Sequence, residues 1–232
     1  MAPEVRSLRV DDIGASPKRW EVYSRTRWAN VGPFKYLPPW KAWGPYRELA
    51  AWEIDMLCGL VAGKRSRLTL AITACWVERD GTLVPYPEKF PRQADVILTW
   101  VRRGVVEVAN HGLTHCREGQ HLPRWFHGNR EAHREFGEDM SHEQIHARLL
   151  RAQNIFARWL GKAPAVLVPP GLMLSEKQSV FVEVGGLRVW TREHEARCLT
   201  WHDRDFVLGD GWRRFREAIR EEQFTTCGRT IG

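Results

Sequence analysis

Residues 106–116 read "VEVANHGLTHC". The run alternates β-branched with polar or small side chains, which is the pattern of a strand, and two histidines four apart follow at its end. One turn of helix or a tight loop points two such rings the same way. Imidazole nitrogen binds zinc and its relatives, and a catalytic centre adds a carboxylate and keeps one position open. The pair alone is weak evidence, since two histidines so spaced are usually surface or capping residues, so the other half of a metal site has to come from elsewhere in the chain.

Working outward, strands alternate with helices. Strands are expected at 7–10, 67–77, 105–110, 165–171, 187–191 and 196–202, and helices at 46–63, 92–104, 141–162, 176–186 and 211–223. Ser141 with Gln144 three residues on forms a capping box for the third helix. Residues 31–47, 78–91 and 111–140 read as loop, the first because of its Pro and Gly content. Strand–helix alternation is the signature of parallel βαβ units, and in such sheets ligands collect at the C-terminal strand ends. Chemistry-bearing residues gather there: Asp11 and Asp12, Asn110 and His111, Pro169 and Pro170, and His202. Asp12 can supply the oxygen ligand to complete a set with His111 and His115, and of the Asp11–Asp12 pair one carboxylate can bind metal while the other serves as general base.

Composition narrows the function classes. The chain has 232 residues, long enough for one domain with a full core, and the expectation is a single catalytic domain over 1–232 with a Trp/Pro-rich insert at 28–46. The formal net charge of +7 is spread among interleaved acids, which argues against a nucleic-acid stripe. Five cysteines in no framework spacing fit a reducing compartment, and with no apolar leader and no membrane span the expected location is cytoplasmic. No serine stands in a GxSxG context, so a serine nucleophile is unsupported. Twelve Trp against four Tyr offer stacking platforms for sugar rings, with Trp28, Trp40 and Trp43 of the insert the first choice.

In order and spacing, "RVDDIG", "NHGLTH", "APAVLVPPG" and "CLTWHDRD" resemble the motifs of the polysaccharide deacetylases, carbohydrate esterase family four, over about residues 7–210. The resemblance implies an α/β fold, a distorted (β/α)7 barrel. It also implies a metal-dependent hydrolase that removes N-acetyl groups from an amino sugar, a glycan or its precursor. Carried over residue by residue, Asp11 is the base, His202 the acid, and Asp12, His111 and His115 hold a divalent cation, zinc first with cobalt, nickel or iron as alternatives. The substrate would meet Trp40, Trp43, His133, Arg134, Pro170 and Gly171, with a backbone N–H near Gly171 facing the oxyanion. Two departures stand out. Val168 occupies the place of the family's Arg before the third-motif Pro, and the fourth, Asp-rich motif is missing. Arg134 and an Asp of "HDRD", Asp203 or Asp205, are the candidates to fill those roles. The alternatives are a related hydrolase of another non-peptide C–N bond, or a silent sugar-binding barrel.

Overall fold

A computed structural model describes residues 6–24, 26–30, 32–37, 39–43, 46–122, 135–137, 139–172, 174–175, 178–179, 182, 186–221 and 224–227. Its centre is a curled, parallel, seven-stranded sheet in the order β10-β1-β4-β7-β8-β9, with β11 also pairing β1. These strands are β1 (Arg6–Ile13), β4 (Leu68–Ile72), β7 (Val106–Asn110), β8 (Val166–Leu167), β9 (Arg188–Val189), β10 (Cys198–His202) and β11 (Phe224–Thr225). Among the described residues β9 and β10 do not pair, so the expected barrel is an open half-barrel.

Strand periodicity sorts the side chains. Leu8, Val10, Leu68, Leu70, Val106 and Val108 face outward and form one core with the helices α1 (Ala51–Gly63), α3 (Pro91–Arg102), α4 (His142–Leu160) and α7 (Gly211–Glu221). The alternate positions face the concave side, where Ala71, Ala109, Val166, Val168, Trp190 and Cys227 pack together. Both faces of β4 are buried, which explains its continuous apolar run.

Several boundaries differ from expectation. The expected strand 67–77 is two: β4 ends at Ile72, and β5 (Cys75–Val77) leaves the sheet to pair antiparallel with β6 (Leu83–Pro85). The segment 78–91 therefore holds β6 and a short helix, α2 (Tyr86–Lys89), rather than loop alone. The first helix starts at Ala51, not at residue 46; Tyr46 and Glu48 precede it outside any regular element, with their side chains in a buried polar cluster. Within 31–47, β3 (Lys41–Trp43) pairs with β2 (Val22–Ser24), and Gly32–Tyr36 forms a 3₁₀ turn. The strand at 165–171 shrinks to Val166–Leu167, since Pro169 and Pro170 have no N–H for a ladder. The helix expected at 176–186 falls largely outside the described residues.

α4 forms as read. The Ser141 hydroxyl accepts the Gln144 N–H at 3.3 Å, the Gln144 side chain accepts the Ser141 N–H at 2.9 Å, and Gly161 closes the helix at φ 81°. Ile145, Leu149, Ala152 and Phe156 make its buried stripe. Ser141→Ala should lower stability by about 1 kcal/mol, the usual worth of such a cap, read as a lower urea midpoint with an unchanged slope.

Candidate active site

The site begins with an irregularity in β1. Val10 pairs Leu70 and Ile13 pairs Ile72, so Asp11 and Asp12 together stand opposite the single residue Ala71. This is a β-bulge, and Asp12 sits in it at φ 69°. In a regular strand adjacent carboxylates would face opposite sides; the bulge turns both toward the concave edge.

β7 ends at Asn110 and delivers the histidine loop to the same edge. His111 Nδ1 lies 2.7 Å from the Val168 carbonyl. A carbonyl only accepts, so Nδ1 carries the proton and Nε2 is left to face Asp12. His111 Nε2 is 3.1 Å, and His115 Nε2 3.0 Å, from one oxygen, Asp12 Oδ1. One donor atom from each of the three residues falls within 4.8 Å of the others. His115 holds a left-handed backbone at φ 58°, like Asp12. Two non-glycine residues in that region are backbone strain that surrounding structure has to hold in place. The donor set, two imidazole nitrogens and a carboxylate, with one ring fixed through its far nitrogen, fits a divalent cation of the zinc type.

What holds the loop is Glu135. Its fully buried carboxylate accepts the N–H groups of Leu113 at 2.9 Å, Thr114 at 3.1 Å and His115 at 2.8 Å, and Arg148 Nε donates to it at 3.1 Å. Gly112, at φ 86°, is required beside it, because a Cβ there would run into the Glu135 carboxylate. Asn110 Oδ1 accepts the Gly112 N–H at 2.9 Å and completes the turn. Glu135→Gln places an amide N–H₂ against backbone donors. It should cost about 1–3 kcal/mol of stability and weaken zinc binding by about 10- to 100-fold, measured by melting and by competitive zinc titration.

A second buried network lies behind Asp12. Lys18 Nζ donates to the Asp12 carbonyl at 2.9 Å and pairs with the fully buried Asp203, which also accepts the Tyr46 hydroxyl. Tyr46 lies 3.1 Å from Glu48 Oε2, and that oxygen accepts the Gly14 N–H at 2.9 Å. Burial pushes the Asp12 carboxyl up, but Lys18 and then the two imidazoles hold it well below the ordinary range. Burial raises Glu48 to about 8, helped by the nearby Asp203. Asp12 is thus a standing anion, as a cation ligand must be.

Asp11 has a different partner. Arg9, two residues back on the same face of β1, donates Nε to Asp11 Oδ1 at 2.6 Å and Nη2 to Oδ2 at 2.9 Å. Arg9 is 1% exposed, lies 5.2 Å from the Trp190 ring and also pairs with Glu195. Arg134, expected to replace the arginine missing before Pro169, lies outside the described residues, as does His133; the guanidinium on Asp11 is that of Arg9. An arginine alternating with Leu8 and Val10 in a buried strand was the available signal.

His202 ends β10 and is the cross-strand partner of Asp11, so both side chains belong to the concave face. It is the open member of the group, 42% exposed. Asp205 accepts the His202 backbone N–H at 2.9 Å and stands 4.0 Å from its Nδ1, whereas Asp203 turns away to Lys18.

A cavity of about 690 Å³ is lined by Pro169, Leu172, Gln178, Trp190, Thr191 and Arg192, among others; Asp11, Asp12, His111, His115 and His202 do not line it, and Pro169 and Trp190 connect it to them. Pro169 follows the carbonyl that orients His111, and Trp190 covers the arginine that holds Asp11. Pro170 packs close to Gly112, and Gly171 takes φ 63° in the turn behind it. Trp40 sits apart from the cavity lining in an edge-to-face cluster, its ring 5.2 Å from Trp28 and 6.4 Å from Phe34. The Trp43 side chain lies outside the described residues.

The polysaccharide deacetylase family model matches residues 57–185, more than half of the chain and all of the histidine loop. The chain belongs to the polysaccharide deacetylases. Among solved structures, this deacetylase-family chain is similar to the peptidoglycan deacetylase PdaC from Bacillus subtilis (TM-score 0.53, 11% identity, 100% of this chain and 92% of that one). It is also similar to a family 4 carbohydrate esterase from Bacillus anthracis (TM-score 0.50, 14% identity, 79% and 77%). A third is a mutant of BA3943 from Bacillus anthracis, a family 4 pseudoenzyme (TM-score 0.53, 10% identity, 100% and 68%). At these identities the likeness establishes the fold; a pseudoenzyme on the same fold means that activity must be argued from the site. No curated protein sequence matches this chain. No described helix is long and apolar enough to cross a membrane.

Proposed function

We propose that this polysaccharide deacetylase family member is a metal-dependent hydrolase that removes the N-acetyl group from an amino sugar within a glycan or glycan precursor. The observation that carries the reading is the convergence of Asp12, His111 and His115 within 4.8 Å, beside a carboxylate already gripped by a buried guanidinium. A divalent cation bound there, zinc first, supplies Lewis acidity toward the acetamide carbonyl and lowers the pKa of water.

The chain's own residues supply the rest. Asp11 accepts the proton of the attacking water: each oxygen engaged by Arg9 keeps a second lone pair. Arg9 fixes the direction of those lone pairs, since its two parallel hydrogen bonds define the carboxylate plane. His202, exposed at the rim and in register with Asp11, delivers a proton to the departing nitrogen. The 690 Å³ cavity is large enough for more than one sugar ring, and the exposed Arg192 and half-buried Thr191 offer polar groups at its wall. Trp40, Trp43, His133, Arg134, Pro170 and Gly171 remain our candidates for contacts further along the substrate.

The test is acetate release from a panel of N-acetylated amino sugars, from single residues to oligomers, by zinc-loaded protein. We expect acetate from at least one, and none after chelation. One equivalent of tightly bound zinc but no acetate from any sugar, together with sugar binding, would support the silent barrel represented by the pseudoenzyme neighbour.

A further inference from the structure

The concave side of the sheet contains a second reactive centre, away from the metal ligands. Arg9, Thr69 and Thr200 are cross-strand partners in one row across β4, β1 and β10. Two residues before Thr200 stands Cys198, partly exposed; its sulfur lies 3.4 Å from the Thr200 hydroxyl, which also has the Glu195 carboxylate at 3.1 Å. At the other end of the row the Thr69 hydroxyl accepts the Cys227 N–H at 2.8 Å, which brings the chain after β11 back into the sheet. Cys227 is fully buried in the concave cluster, and Cys198 packs against that same cluster. Arg9 contributes the charge: it spends Nε and Nη2 on Asp11 and Glu195, while Nη1 is buried with no hydrogen-bond partner among the described residues.

These neighbours separate Cys198 from the other thiols. A hydrogen bond from Cys227, against the opposing effect of burial and aided by Arg9, Ser7 and Thr200, lowers Cys198 to about 7. Burial pushes Cys58 up to about 12, Cys75 to about 11 and Cys116 to about 12. A partly exposed thiol, an arginine and an adjacent second thiol together make the setting in which thiolates react and are then resolved.

We propose that Cys198 and Cys227 form a thiol-oxidation site, in which Cys198 reacts with a hydroperoxide and Cys227 resolves it to a reversible disulfide beside Arg9. In the first step the Cys198 thiolate attacks a peroxide oxygen; an S–O bond forms, the O–O bond breaks, and hydroxide leaves. In the second, the Cys227 sulfur attacks the sulfenic sulfur, an S–S bond forms, the S–O bond breaks, and the oxygen departs as water with the Cys227 proton. Two thiols lose two electrons and one hydrogen peroxide becomes two waters. The reaction removes the anionic thiolate from one side of Arg9 and leaves Asp11 on the other.

The experiment treats the full-length protein with hydrogen peroxide and follows intact mass and peptide maps. We expect a mass loss of about 2 Da reversed by dithiothreitol, with one linked peptide pair containing Cys198 and Cys227. Before oxidation, Cys198 should alkylate at pH 7 at least about tenfold faster than Cys116. Cys227→Ser should abolish the mass loss and leave a sulfenic acid at Cys198 that dimedone traps. The proposal is overturned if Cys198 alkylates no faster than Cys116. It is equally overturned if the linked peptides involve other cysteines, or if the 2 Da loss persists in Cys227→Ser. The wild-type peptide map decides the pairing even where a variant folds poorly.

Discussion

Replacing His111 with alanine is expected to leave the purified protein without its divalent ion and to reduce acetate release by at least about a thousandfold, since Lewis-acid assistance is worth several kcal/mol. His111 is the ring whose position is fixed at both ends, through Nδ1 to the Val168 carbonyl and through Nε2 toward Asp12. Alanine removes a proposed ligand and the side-chain hydrogen bond to the Val168 carbonyl at once. Metal content by elemental analysis and activity must therefore be read together with a melting curve. His115→Ala separates the effects, because His115 sits in a loop already held by Glu135 through its backbone. Both variants should lose the ion, and His111→Ala should also melt earlier. Full metal occupancy in either variant would mean that the three side chains are not the cation site.

Asp11→Asn should keep the ion and lower kcat by about 10²- to 10⁴-fold, the usual range for a positioned general base. The amide has nearly the same shape, so substrate binding should hold and KM should change little. Its cost in stability comes from Arg9. That guanidinium is buried, and with Asp11 neutral only Glu195 remains as a carboxylate partner among the described residues. Removing one member of a buried ion pair costs about 3–5 kcal/mol, so the melting midpoint should fall as well. Activity is therefore compared well below that midpoint. Unchanged acetate release from the folded, metal-loaded variant would remove Asp11 from the chemistry while leaving the cation site standing.

Four ordered motifs are enough to point to the polysaccharide deacetylase family, and the reason is local. Strand-end carboxylates, a histidine pair and a strand-end histidine are each coded within a few residues, and their order along the chain follows from the topology. The capping box of α4 was legible for the same reason: Ser141 and Gln144 satisfy one another within a single turn. The continuous apolar run of β4 was likewise legible as a buried strand, because a strand covered on both faces has no polar positions to alternate with.

Only the tertiary structure decided how these pieces are held. Nothing in "RVDDIG" announces that two residues face one in β4, so the turning of Asp12 toward the histidines appears only when β1 and β4 are paired. The arginine on Asp11 comes from two residues upstream rather than from a distant motif, and it works because Trp190 and Glu195, nearly two hundred residues away, cover it. Glu135 is one carboxylate among many in a charged segment; its burial against three loop N–H groups is a long-range fact of packing. Residue types near a site are chosen for chemistry and can be read along the chain. The groups that aim them are chosen by shape and distance, which a chain acquires only on folding.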